Sequence, residues 1–465
     1  MQNKTYGKAS TCYFVGNIFN KGIAFLTIPI FTRILSTSDY GIVTTYNSWV
    51  SILSLVIGLA IPMGIRASFI DYEQEKDAFL SVCTTFTILT GTVVSLLVCG
   101  AILILRIDVR ITLVYLCLIQ GLSVSIIQNY SMYLMMQYKY QMRTALMILP
   151  NLIAVVISIL VLSFVMKKNL YLGRIIPIAL VNLFFGIIVI LLIYRKSLVF
   201  FNQNYLKYAL AISAPLVIHG ISLSVLSQSD RIMITNLKNE SQTGVYSMIY
   251  NFSMIATVIT TSLDGIWVPW FTEKLKQKKR RAINLIGKDY IHLMTYAMIC
   301  VIMIGPEAVK LMAPPKYWNG IVIIPPIVLS NYVIFAYTLY VNIEHFHKKT
   351  PYITGNTVIA ACCNIVLNYL FISRYGYIAA AYTTLFSYFL SLCLHTRYAK
   401  KLEKKLFPFQ TFILPMTHII AAIIVFYLFI ETWYIRWIFL FIYTLFAIYS
   451  ERKRLKYFFL NPSQA

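Results

Sequence analysis

Charge is what this sequence has least of. Only 12% of its 465 residues are Asp, Glu, Lys or Arg, where a soluble domain carries about a quarter. The acidic residues number 16. No segment matches the glycine-rich loop that cradles nucleotide phosphates, the His-Glu-x-x-His helix or the Gly-x-Ser-x-Gly elbow, so neither ATP hydrolysis nor hydrolytic catalysis has support, and the chain is not expected to be an enzyme. Nor is there a Cys-x-x-Cys pair or a Cys/His cluster. All eight cysteines fall inside or beside apolar stretches, which argues against a disulfide framework and against a zinc site.

What remains is apolar: 59% of the residues are hydrophobic and the mean hydropathy is +0.73. The chain divides into stretches of about 20 apolar residues, the length a helix needs to cross roughly 30 Å of hydrocarbon. Fourteen such spans are predicted: Tyr13–Leu35, Ile42–Met63, Phe79–Leu105, Ile111–Met135, Leu146–Val165, Ile175–Tyr194, Ala209–Leu226, Tyr246–Val268, Tyr290–Met312, Ile321–Val341, Ile353–Phe371, Ile378–Leu394, Phe412–Ile430 and Trp433–Tyr449. The first is too long for a signal-peptide core and lacks a small-residue cleavage site, so it reads as a retained helix. A net charge of +24 would suggest nucleic acid as partner in a soluble protein. Here it records topology, because Lys and Arg collect in cytoplasmic loops. An N-terminus in the cytoplasm places 27 of the 40 basic residues inside and 12 outside, with both termini cytoplasmic. The longest external loop, about Ser227 to Val245, offers only Asp230 and Glu240 as acids. Chemistry is therefore expected between helices.

An internal repeat is visible at an offset of about 203 residues. Leu35 to Ile42, with Tyr46 following, recurs loosely as Gln242 to Tyr246, with Tyr250 following, and Tyr171-Leu172-Gly173 recurs as Tyr375-Gly376-Tyr377. Six is an even number of spans, so both copies enter from the same side and should be related by an axis along the membrane normal. The expected fold is all-α and integral to the membrane, with about 14 transmembrane helices. Residues 1–200 form one six-helix bundle, 201–405 its repeat, and 406–465 an extra helix pair with a basic tail.

Polar residues inside the spans are the candidate site. A charge in hydrocarbon costs about 2.5–3.5 kcal/mol on insertion scales, so one retained there faces a bundle interior or a watery cavity. Lys21 lies about ten residues into the first helix, on a stripe with Gly16, Asn17, Asn20 and Ala24. Gly220, Ser224, Ser227 and Arg231 form the corresponding stripe of the seventh helix, and Arg33 and Arg231 end the two equivalent helices. Each of these cations has a structural reading too: carbonyl pairing or snorkelling for Lys21, interfacial anchoring for the arginines. Asp230 and Asp264, the latter on a stripe with Ser253, Thr257 and Thr260, can serve as coupling groups or as helix-end caps and ion pairs. His219 can meet a sugar or a proton, or simply pack. Glu307 and Lys310 read as a surface pair. Aromatics reach 15%, mostly as interfacial belts, although Tyr46, Tyr246 and Tyr250 are also placed to stack on sugar rings.

Phe31-Thr32-Arg33-Ile34-Leu35 followed by Ser38-Asp39-Tyr40-Gly41, Tyr317-Trp318, Ile324-Pro325-Pro326, Lys348-Lys349-Thr350, and Asn364 to Asn368 leading to Arg374-Tyr375-Gly376-Tyr377-Ile378 together resemble bacterial polysaccharide repeat-unit flippases. These belong to the superfamily that includes multidrug and toxin extrusion transporters and peptidoglycan lipid flippases. Ser373 and Ala379 depart from residues common in the family. The resemblance implies a flippase that moves a polyprenyl-diphosphate-linked oligosaccharide, of an O-antigen or capsule, by alternating access across the bacterial inner membrane. Lys21, Arg33, Arg231, Asn17 and Asn20 would meet the diphosphate. His219, Asp264 and Asp230 would serve sugar binding or coupling to H+ or Na+, with no other cofactor. Its partners would be that lipid-linked oligosaccharide, membrane lipids, a repeat-unit polymerase and glycosyltransferases, and no nucleic acid. The alternatives are a cation-coupled multidrug exporter of the same superfamily, which should carry acids in its cavity, and a glycan polymerase or ligase, which should carry a long external loop.

Overall fold

The computed structural model describes residues 22, 23 and 25–460, and every regular element among them is helical. The described end of the first span is α1 (Phe25–Ile34). Thirteen further spans are long and apolar enough to cross a membrane. They match the second to fourteenth expected spans one for one: α2 (Thr37–Gly58) with α3 (Ile61–Asp71), α4 (Lys76–Leu105), α5 (Ile111–Met136), α6 (Tyr140–Leu160, prolonged by a wide turn to Val165), α7 (Leu170–Tyr194), α8 (Gln203–Leu237), α9 (Glu240–Lys276), α10 (Arg280–Met312), α11 (Ile324–Phe346, after a tight helix at Pro315–Ile323), α12 (Thr350–Tyr375), α13 (Tyr377–Leu402), α14 (Gln410–Leu428) and α15 (Trp433–Leu460). Their exposed faces are apolar. On α4, Leu89, Leu96, Leu97, Leu103 and Ile104 stand free of the protein, as they would toward lipid.

Two local features correct the hydropathy reading. The second span breaks at Leu59 and Ala60, both left-handed (φ 43° and 53°), because Pro62 at the start of α3 has no N–H to continue the α2 ladder. At the break the Ala60 carbonyl accepts the Met63 N–H at 2.9 Å and the Ser213 hydroxyl of α8 at 3.0 Å. The expected loop from Ser227 to Val245 is also mostly helix, with only Lys238 and Asn239 joining α8 to α9. Hydropathy stops where polar residues begin. The helix goes on because those polar groups find partners inside the protein.

The repeat has a physical counterpart where α2 meets the start of α9. A Cβ on Gly41 would lie 1.8 Å from the Glu240 carbonyl oxygen, and a Cβ on Gly244 would lie 1.9 Å from that of Thr37. At an offset of 203, Gly41 corresponds to Gly244 and Thr37 to Glu240, so the contact is reciprocal in the manner of a local two-fold. The next polar residues repeat the pattern. Asp39, which closes a capping box with Ser36, accepts the Tyr171 N–H at the start of α7 (3.2 Å). Its counterpart Gln242 accepts the Tyr377 N–H at the start of α13 (3.2 Å). Each thereby satisfies an N–H that a helix start leaves without an intrahelical partner. Gly376 precedes Tyr377 at φ +65°, and a Cβ there would meet Gln242 at 2.3 Å.

The chain packs as two compact units. Unit 1 takes residues up to Ser247 with Thr354–Ala380; unit 2 takes Met248–Ile353 with Ala381 onward. The core of unit 1 gathers Ile61, Phe79, Cys83, Tyr133, Val189 and Ala209 from α3, α4, α5, α7 and α8. In unit 2, α14 and α15 pack on α10. There Arg436 is fully buried, donating to the Met303 and Phe429 carbonyls at 3.1 Å and pairing with Glu307. Glu307 and Lys310 therefore do not form the expected surface pair. Lys310 lies 4.0 Å from Glu431.

Candidate functional site

The candidate site is a polar seam in unit 1, where α8 lies against α2, α12 and the start of α9. Asp230 on α8 is buried and accepts the Tyr246 hydroxyl at 2.5 Å and the Asn368 amide at 2.7 Å. Asn368 also donates to Asn364 Oδ1 at 3.1 Å, and Ser229 donates to the same oxygen at 2.9 Å. A carboxylate, two side-chain amides and two hydroxyls thus converge from α8, α9 and α12. Their spacing is helical: Asn364 and Asn368 stand one turn apart on the same face of α12.

Arg231, one residue on, turns elsewhere. Its guanidinium donates to the Ser227 carbonyl at 2.9 Å and to Gln228 Oε1 at 3.1 Å, and Gln228 accepts the Ser48 hydroxyl of α2 at 3.0 Å. Asp230 and Arg231 are thus neighbours in sequence with different partners. Below them Thr45, Thr235 and Thr243 form a hydroxyl chain with links of 2.6 and 2.8 Å. Next to this chain a cavity of about 550 Å³ is lined by Tyr46, Trp49, Thr45, Asn236 and the Arg110–Glu240 ion pair (3.1 Å). Its size suits a small ligand or one sugar ring.

The other expected residues lie apart. Arg33 is exposed at the end of α1 and donates to the Pro29 carbonyl at 3.1 Å. His219 is half-buried in mid-α8, 11 residues before Asp230 and so roughly 16 Å along the helix. Asp264 belongs to unit 2, where it accepts the Tyr290 hydroxyl at 3.1 Å, while Thr257 from its stripe donates to Asn331 at 2.8 Å. Lys21, Asn17 and Asn20 lie outside the described residues. Tyr46 and Tyr246 are both buried and spend their hydroxyls on Gln120 and Asp230, and Tyr46 also lines the cavity.

The family described as polysaccharide biosynthesis protein matches residues 7–275, more than half of the sequence. The chain belongs to that family. Among curated proteins it is 24% identical over 282 residues to protein 1 of the Lsg locus of Haemophilus influenzae, covering 58% of this chain and 67% of that one. It is also 24% identical over 363 residues to an uncharacterized membrane protein of the same organism, covering 76% and 87%. Among solved structures, the lipid II flippase MurJ in its inward closed conformation superposes with a TM-score of 0.71 at 14% identity, over 95% of this chain and 99% of that one. A multidrug resistance MATE family transporter of the MOP superfamily, facing inward, gives 0.59 at 12%, over 85% and 99%. At such identities the likeness speaks for the fold. The expected resemblance thus holds for family and architecture, and the chain is a multi-pass membrane protein of this family.

Sequence reading missed several partners in this family member. Asn364 and Asn368 were quoted only for resemblance, though their four-residue spacing marks one helix face. Glu344 and His395, buried together in unit 2, were passed over because the apolar spans stop at Val341 and Leu394, just short of both. Glu403 accepts two hydrogen bonds from Arg280, at 2.7 and 3.1 Å, with His347 Nε2 3.5 Å away. Those bonds and charges hold its carboxyl below the usual carboxylate range.

Proposed function

We propose that this protein flips a polyprenyl-diphosphate-linked oligosaccharide from the cytoplasmic to the outer leaflet of the bacterial plasma membrane by alternating access. The observation that carries the reading is the conjunction of a polysaccharide biosynthesis family with the fold of a lipid flippase along 95% of the chain. Lys21, with Asn17, Asn20, Arg33 and Arg231, receives the diphosphate, because two or more negative charges inside a helical bundle need fixed cations. Repeat-unit polymerase and glycosyltransferases act after and before it on the same lipid-linked glycan. The chain itself performs no bond-breaking step.

The Asp230 seam supplies the coupling ion site in this reading. Asp230, Ser229, Asn364 and Asn368 provide oxygen donors, the set a hard cation such as Na+ takes, once the Asn368 amide turns its oxygen inward. Asp230 without a cation would hold a proton in the same place. His219 and Asp264 are assigned no part of that site. The multidrug exporter reading finds less support, since Lys21 and Arg231 are cations on the expected cavity stripes and the exporter fold superposes over less of this chain.

Deletion of the gene in a strain with a surface glycan tests the function. The glycan should vanish from the surface while its lipid-linked repeat unit accumulates, and a plasmid copy should restore it. Normal surface glycan in the deletion strain, together with drug sensitivity, would move the assignment to the exporter.

A further inference from the structure

Unit 2 contains a buried acid and base that the flippase reading does not use. Glu344 of α11 and His395 of α13 meet with Oε2 and Nδ1 at 2.8 Å, and their side chains are 0% and 2% exposed. The Tyr337 ring stacks on the imidazole with centroids 5.5 Å apart and planes at 21°, and Tyr337 stacks in turn on Tyr388. Glu344 Oε1 is buried and has no hydrogen-bond partner. The other titratable groups within electrostatic reach include His345 on α11 and Tyr398 on α13, with Tyr352 of α12 stacked on Tyr398 at 3.8 Å. Nearby, Arg280, Glu403 and His347 form a set of their own.

We propose that Glu344 and His395 form a proton-binding site, and that its proton is taken up and released as α11 and α13 close and part. A pair built only to hold two helices together would be expected to satisfy both carboxylate oxygens, since a buried acceptor left open costs about 1–3 kcal/mol. It would also use Arg or Lys, which stay charged. Histidine instead dissociates near neutrality, with an ordinary value of about 6.5.

The proton balance follows from burial. In contact and away from water, the glutamate carboxylate and the imidazolium are neutral as a pair and together hold one proton. Separated in water above about pH 6.5, both groups take their ordinary forms, a carboxylate and a neutral imidazole, and hold none. Parting therefore transfers the imidazolium proton to water, and closing takes one back, because either charge buried alone costs several kcal/mol. One proton is exchanged per cycle. The coupling role rests on the proposed transport activity; proton binding does not.

Two measurements on the full-length protein separate these claims. Nitrogen NMR of histidine-labelled protein in lipid, with His395 assigned through His395→Gln, should find both His395 ring nitrogens protonated in the wild type and only one in Glu344→Gln under the same conditions. A neutral His395 in the wild type, or one unchanged by Glu344→Gln, overturns the proton site. In cells, Glu344→Gln and His395→Gln should lose surface glycan at normal membrane protein levels, and Glu344→Asp should retain part of it. Normal export by Glu344→Gln overturns the coupling role. Should deletion of the whole gene leave the glycan intact, the transport reading and the coupling role fall together, while the NMR result still decides the proton site.

Discussion

Replacing Gly41 with alanine puts a methyl group where the Glu240 carbonyl oxygen stands, 1.8 Å away. Ordinary contact begins at 3.4 Å, so α2 and the start of α9 would have to part by about 1.6 Å. Overpacking of this kind costs about 1–3 kcal/mol. The movement also stretches the Thr37–Ser241 hydroxyl pair (2.7 Å) and the Arg110–Glu240 bridge (3.1 Å), which together add about 1 kcal/mol. Gly41→Ala and Gly244→Ala should therefore each cost about 2–4 kcal/mol. Because both act at one crossing, the helices parted by the first substitution leave room for the second, and the double variant should cost clearly less than the sum. Gly100 in α4 is the control: nothing lies within 4 Å of its Cβ position, so alanine there should be neutral or slightly stabilising. Unfolding of detergent-purified protein by heat or SDS measures all four. Wild-type stability of Gly41→Ala, or strict additivity of the pair, would refute the close crossing.

Three further outcomes are expected. Glu403 has its folded value depressed mainly by the Arg280 hydrogen bonds, so its stabilising contribution is present above the ordinary carboxylate value of about 4.3 and is lost as pH falls through the folded value; the gap in melting temperature between wild type and Glu403→Gln should be open at neutral pH and close in acid, and a gap independent of pH would contradict this. Asp230→Ala removes the carboxylate acceptor of the Tyr246 hydroxyl and of one Asn368 N–H, at about 1–3 kcal/mol each, whereas Asp230→Asn should fold and lose only the dependence of transport on the coupling ion, as proteoliposome assays with and without Na+ would register. Lys21→Glu or Lys21→Ala should abolish surface glycan at normal protein levels and Lys21→Arg retain part of it; normal export by Lys21→Glu would shift the phosphate site toward Arg33 and Arg231.

The number and order of helices could be read from the sequence because apolar length is a direct consequence of bilayer thickness. Gly41 and Gly244 stood out in the sequence, and each meets a backbone carbonyl that admits no side chain. Helix ends were not. Asp230, Glu344 and His395 all lie beyond the last apolar residue of an expected span, where hydropathy stops but the helix continues on buried polar partners. Those partners come from distant elements: Asn368 is 138 residues from Asp230, and His395 is 51 from Glu344. The burial of Arg436 was likewise not legible, because its partner Glu307 is 129 residues away.

The central claim is that this protein moves a lipid-linked oligosaccharide between leaflets. Purified protein reconstituted into liposomes with a fluorescent polyprenyl-diphosphate oligosaccharide in one leaflet measures it directly, through access of an added glycosidase to the opposite face. The account predicts glycosidase access that depends on the protein and falls sharply with Lys21→Glu. Access no faster than in protein-free liposomes, with the protein folded and a coupling gradient imposed, would contradict it.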